Sequence, residues 1–206
     1  MTNLKDLLAK PTVGNYKKAA KIISKENLKE HGEPLYNFLK KILPQKNKWE
    51  TSCELIKALG HIQYAPSLEL LKPIILEDLE HDMVTLSAAT AFVRISRKDL
   101  ADGFLAIDLL KNKGYAVREG TLEALGYDKM VPPVEQQTEI IEICWDFGKE
   151  RDRNGYADPR YGLAAACAGW TSPRVNSFLE HCLETGDVPL VFVASSSLKG
   201  KYVKLR

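Results

Sequence analysis

Apolar residues recur along this chain with a helical period. Leu55, Leu59 and Ile62 stand four and three apart within residues 49–62, the stripe of an amphipathic helix. Segments rich in Ala, Leu, Lys and Glu add helix propensity elsewhere, and alternating strand patterns are scarce. The valine-rich residues 188–193 are the one strand-like run. Asp187 before them suits an N-cap and Pro189 an early helical turn, so a buried helix is predicted there. Pro34, Pro66, Pro133 and Pro173 each precede or open an apolar-periodic segment and mark further helix starts. More than about 60% helix with almost no sheet is expected.

The pattern also repeats. Ala58-Leu59-Gly60, Ala91-Phe92-Val93, Ala124-Leu125-Gly126 and Cys167-Ala168-Gly169 occupy equivalent places near the ends of successive helices. Their middle residues step by 33, 33 and 43, and a weaker match follows 30 residues later at Leu198. Each unit continues through a short polar turn, such as residues 63–67, into a second helix. A period of this length means stacked helix pairs, in which one unit buries its apolar face only against its neighbours.

The stretch Ala58-Leu59-Gly60-His61-Ile62, followed by Ala65-Pro66-Ser67-Leu68-Glu69-Leu70-Leu71, resembles the HEAT repeat. The likeness is to the short bacterial type first noticed in phycobilisome lyases, and it covers about residues 49–184. It implies an all-α, right-handed solenoid of four to five antiparallel helix pairs within a single domain over residues 1–206. Residues 1–48 would form a helical cap, and residues 185–206 an incomplete terminal repeat. The motif specifies helix packing, not chemistry; the family includes scaffolds, inhibitors, bilin lyases and a branch of DNA glycosylases.

Charge divides the chain. Residues 1–48 carry a net +7, residues 49–148 a net −8 and residues 149–206 a net +3, which leaves +2 overall. That division argues against a uniformly basic nucleic-acid binder. With 206 residues, 45% hydrophobic and 27% charged, the composition is that of a globular protein and excludes wholesale disorder. No apolar run approaches the ~20 residues of a membrane span. With Asp6 early and no apolar run near it, no secretory leader is expected, and Cys53, Cys144, Cys167 and Cys182 form no C-x-x-C pair. The cytoplasm is therefore the expected compartment, without a disulfide framework, metal site or cofactor.

The motifs of nucleophilic hydrolases, nucleotide-binding loops and zinc proteases are missing. His31, His61, His81 and His181 have no second histidine at helical ligand spacing. The cysteines on apolar helices read as small core residues. Trp145 and Asp146 supply the aromatic and acidic types a glycosylase would need, but adjacent positions diverge on a helix. No catalytic residue is assigned.

Three surface features remain. Lys17, Lys21, Lys25 and Lys29 recur every four residues, with Lys18 beside them, and make one basic face on the cap. The ten extra residues of the 43-residue step fall in residues 149–161, where Arg151, Arg153, Tyr156, Arg160 and Tyr161 are types enriched at interface anchors. Glu135, Glu139, Glu142 and Asp146 lie within about 60° on one helix face. That helix is the second of its unit, and second helices line the concave side of such solenoids. The preceding second helix adds Asp99, Asp102 and Asp108, and the one before it Glu69, Glu77 and Glu80.

Together these features point to a non-catalytic scaffold whose acidic face and inserted loop engage a protein with a basic surface. One concrete form is a bacterial immunity or antitoxin protein that covers a toxin active site. Competing readings are a nucleic-acid binder or HEAT-like glycosylase using the basic cap, a bilin-lyase-like enzyme, and a repeat that self-associates through its C-terminal end.

Overall fold

A computed structural model describes residues 3–147, 158 and 160–203. The chain is all-α, with 74% of it helical, and no strand occurs among the described residues. The helices gather into two compact units, residues 1–96 and 97–206. The first holds α1 (Leu4–Ala9), α2 (Val13–Glu26), α3 (Gly32–Ile42), α4 (Trp49–His61), α5 (Leu68–Glu77) and α6 (Met83–Ser96). The second holds α7 (Phe104–Asn112), α8 (Tyr115–Tyr127), α9 (Val134–Cys144), α10 (Arg160–Ala166), α11 (Val175–Leu183) and α12 (Val188–Ser197).

Short side-chain caps start several of these helices. Thr12 Oγ1 accepts from the Asn15 amide at 3.3 Å to open α2. Asp82 Oδ2 accepts from both the amide and the hydroxyl of Thr85, at 2.8 and 2.7 Å, to open α6. Asp187 Oδ1 accepts from the Leu190 amide at 2.9 Å, so residues 188–197 are helical. That helix is only half buried. Leu190, Val193 and Ala194 face inward, while Val188 and Phe192 are 78% and 62% exposed, so the buried helix predicted there is corrected to one with a single buried face.

Helix ends carry the repeat more clearly than helix starts. The amides of Tyr64 and Met130 each donate to the carbonyl five residues back, Leu59 and Leu125, at 3.0 Å. Between them, Gln63 and Lys129 adopt left-handed backbone at φ 54° and 52°. Left-handed backbone costs a non-glycine residue roughly 1 kcal/mol. Gln63 offsets this because its side-chain Nε2 donates to the Arg94 carbonyl at 2.9 Å. Lys129 places its ammonium 4.8 Å from the Tyr202 ring centre.

In the first unit α4 lies between α2 and α6, and α5 packs on α6. In the second, α8, α10 and α12 follow one another, and α9 touches both α7 and α11. Small residues set the closest approaches. A Cβ on Gly60 would stand 2.6 Å from the Ala91 Cβ, so α4 and α6 cross in near contact there. A Cβ on Gly162 would meet the Leu122 carbonyl carbon at 2.6 Å, where α10 crosses α8. Leu55, Ile56, Leu59 and Ile62 fill the first core; Leu122, Leu125, Leu163 and Phe178 are fully buried in the second.

Side-chain bonds tie neighbouring helix pairs at a nearly constant sequence step. Tyr36 donates to Glu69, and Lys17 pairs with Glu50, each 33 residues on. Arg97 pairs with Asp128 over 31 residues at 2.6 Å, and Thr138 shares a hydrogen bond with Ser172 over 34.

Candidate functional site

The predicted acidic stripe falls on α9, which two buried amides hold in place. Gln136 Oε1 accepts from the Gly103 amide at 3.0 Å, fixing the turn before α7. Gln137 Oε1 accepts from the amides of Thr171 and Ser172, both at 2.9 Å, fixing the turn before α11. Its Nε2 donates to the Pro132 carbonyl at 2.6 Å. These positioning residues were not singled out in the sequence. Their only signal is a pair of amides at helix phases that face the core.

The acids themselves are largely engaged. Lys111 on α7 donates to Glu139 at 2.5 Å, and Arg174, which caps α11, donates to Glu142 through Nε. The Arg174 guanidinium also lies 4.8 Å from the Trp145 ring centre. His181 stacks on the same ring at 5.2 Å with 7° between planes. Arg174 and His181 are seven residues apart on one helix, or about 10.5 Å of rise, so the indole fits between them. Glu135 is exposed and Asp146 lies just past the helix end, where its charge helps hold the Arg160 guanidinium protonated. The middle of the stripe is therefore a ladder of alternating charge across α7, α9 and α11, with Glu135 exposed at one end.

Asp99 and Asp102 sit in the turn before α7 and not on a second helix, which corrects their predicted placement. Asp99 accepts from the Ala101 amide at 2.7 Å; Asp102 accepts from the amides of Lys98 and Phe104 at 3.1 and 3.4 Å. Asp108 is on α7, Glu69 and Glu77 are on α5, and Glu80 lies beyond it. Arg151, Arg153 and Tyr156 of the inserted segment fall outside the described residues. Arg160 was expected on the surface. It is buried instead, with Nε and Nη2 donating to the buried Asp158 carboxylate at 2.9 and 2.6 Å. Burial opposes its charge, but the Asp158 hydrogen bonds outweigh that and hold its pKa above the usual value. Tyr161 is half-buried.

The turns that lead into α7 and α9 form a further surface feature. The Val131 amide donates to the Leu100 carbonyl at 2.9 Å, and a Cβ on Gly103 would stand 3.0 Å from the Pro132 Cβ. These contacts gather Leu100, Phe104, Val131 and Val134, all exposed, with Phe104 at 72%. Asp99 and Glu135 flank them. An exposed apolar patch rimmed by charge is the physical mark of a protein-binding surface.

The basic cap is shorter than its spacing suggested. Asn27 turns left-handed at φ 52° and ends α2, so Lys29 falls in a separate 3₁₀ turn. Lys17 is paired with Glu50, and Lys21 and Lys25 share a shallow cleft with Lys57 and Glu54.

Burial leaves the cysteine thiols poorly set for nucleophilic chemistry. All four cysteines are free and buried. Burial pushes the Cys182 thiol up to about 12, Arg160 opposing and Asp158 adding, and it raises Cys144 and Cys167 further. No group of three or more His, Cys, Asp or Glu that could hold a metal ion occurs among the described residues. No helix among them is long and apolar enough to cross a membrane. A scan against protein-family models finds no match to the chain, and no curated protein matches it.

Proposed function

We propose that this protein is a non-catalytic binding module for another protein, with its contact surface at the start of α7 and α9. The observation that carries this reading is the patch of Leu100, Phe104, Val131 and Val134, exposed beside Asp99 and Glu135. A partner that suits it presents an apolar anchor flanked by basic side chains, which acidic rims attract at long range. Glu139 and Glu142 contribute less than their number suggests, because Lys111 and Arg174 already neutralise them. One concrete form is a bacterial immunity or antitoxin protein that covers the basic groove of a nuclease toxin.

A HEAT-like solenoid is the scaffold we infer for this surface. Three observations support it: the step of about 33 residues between bonded side chains, the shared helix ending at Leu59 and Leu125, and the glycine-mediated crossings. The exposed Val188 and Phe192 of α12 favour self-association as a second reading.

Affinity capture compared between wild type and a Phe104→Ser, Val134→Ser variant tests the main reading. A protein captured by the wild type and lost with the variant, at equal thermal stability, supports it. Capture of the same proteins by both forms would move the interface elsewhere.

A further inference from the structure

We propose that the first unit carries a separate small-ligand site, which takes a zwitterion with an apolar body such as a short apolar peptide. It lies in a cleft of about 640 Å³ between the connection that joins α3 to α4 and the turn that joins α5 to α6. That volume is within the range of small-molecule sites, roughly 300–1,000 Å³.

The two walls carry opposite charge. Lys46 stands on the α3–α4 side, and Glu77 and Asp82 on the α5–α6 side. Asp82 is fixed in place, since one of its oxygens takes both Thr85 donors. Between the walls the surface is apolar. Trp49, at 46% exposed, and Leu79, at 49%, both line the cleft. An indole so exposed on a concave wall offers a flat face to an apolar or aromatic side chain.

Ser52 supplies the independent observation. It also lines the cleft, is only 1% exposed, and its hydroxyl has no hydrogen-bond partner. A buried hydroxyl without a partner is costly, and most helical serines avoid that cost by bonding back to a carbonyl one turn earlier. Here the donor and the acceptor are both unused within the protein, on a residue that lines the cleft. One ligand class uses every feature. Its ammonium lies against Glu77 and Asp82, its carboxylate meets Lys46, its peptide group reaches Ser52, and its side chains cover Trp49 and Leu79. Either charge alone would leave one wall facing nothing or facing repulsion. The site does not depend on the patch in the second unit, so each stands or falls by its own test.

The probes are leucyl-leucine, its N-acetyl form and its C-terminal amide, titrated into the full chain by calorimetry. Leucyl-leucine is expected to bind, and each blocked form to bind at least about tenfold more weakly. Trp49→Ala should abolish binding, and Glu77→Gln and Lys46→Gln should each weaken it about tenfold. Ser52→Ala, which removes an unpartnered hydroxyl and should fold at least as well, should weaken binding severalfold. No binding of leucyl-leucine at millimolar concentration would overturn the proposal. So would blocked forms that bind as tightly as the free dipeptide, or charge variants that bind like wild type.

Discussion

Glu142 on α9 accepts a hydrogen bond from Arg174 at the head of α11, 32 residues further along the chain. The bond changes what charge reversal should do. From spacing alone, Glu139→Lys with Glu142→Lys relieves repulsion among neighbouring acids and leaves the fold as stable or more so. In the structure the new lysines would face Lys111 and Arg174. The double variant should therefore lose stability, by about 0.5–1 kcal/mol per pair for such exposed partners. Denaturant midpoints measure this. Adding Arg174→Glu to Glu142→Lys should recover part of the loss.

Glu119 on α8 should make stability depend on pH near neutrality. Burial, and then the charge of Glu123, push its carboxyl up from 4.5 to about 7. The fold thus favours the protonated acid. Its contribution is fully present below 4.5 and is lost as pH rises through about 7. Direct conversion of such a shift gives up to about 3 kcal/mol, and partial exposure reduces it to about half of that. Glu119→Gln should leave stability at pH 4 nearly unchanged and raise it above wild type at pH 8. Urea unfolding at the two values decides it; parallel curves would remove Glu119 from the account.

Gly60→Ala tests the crossing of α4 over α6. Alanine favours an isolated helix by roughly 1 kcal/mol over glycine. Here its methyl would press on Ala91 at 2.6 Å, and overpacking of that kind costs about 1–3 kcal/mol. A net loss is expected, visible as a lower thermal midpoint. Gly60→Ala with Ala91→Gly should reverse most of it.

Asp158→Asn should be the most damaging single change among these. It leaves the buried Arg160 guanidinium without its counter-charge, a loss of about 3–5 kcal/mol. A variant that unfolds at the wild-type midpoint would mean that the pair is solvated.

The helical plan was readable because each helix states its own boundaries. Asp187 and Pro189 announced α12, and Leu59 and Leu125, 66 residues apart, marked equivalent helix ends before their shared geometry was visible. Pairing was less readable, since it depends on what a distant helix brings. Nothing local to Glu142 signals Arg174, and nothing in the polar run before α10 marks Arg160 as buried. The patch around Phe104 was missed for the same reason. Its members come from two turns more than 25 residues apart, and each alone looks like an ordinary exposed apolar residue.

The step of 28 to 35 residues between the bonded side-chain partners that join neighbouring helix pairs also bears on how the chain folds. Each such contact closes a loop of similar, modest length, and most of that loop is already shortened by its own helices. Because the entropy of closure grows only with the logarithm of loop length, no single step towards the native state is much harder than the next. Refolding should be fast by the standard of its size, with no long search for distant partners.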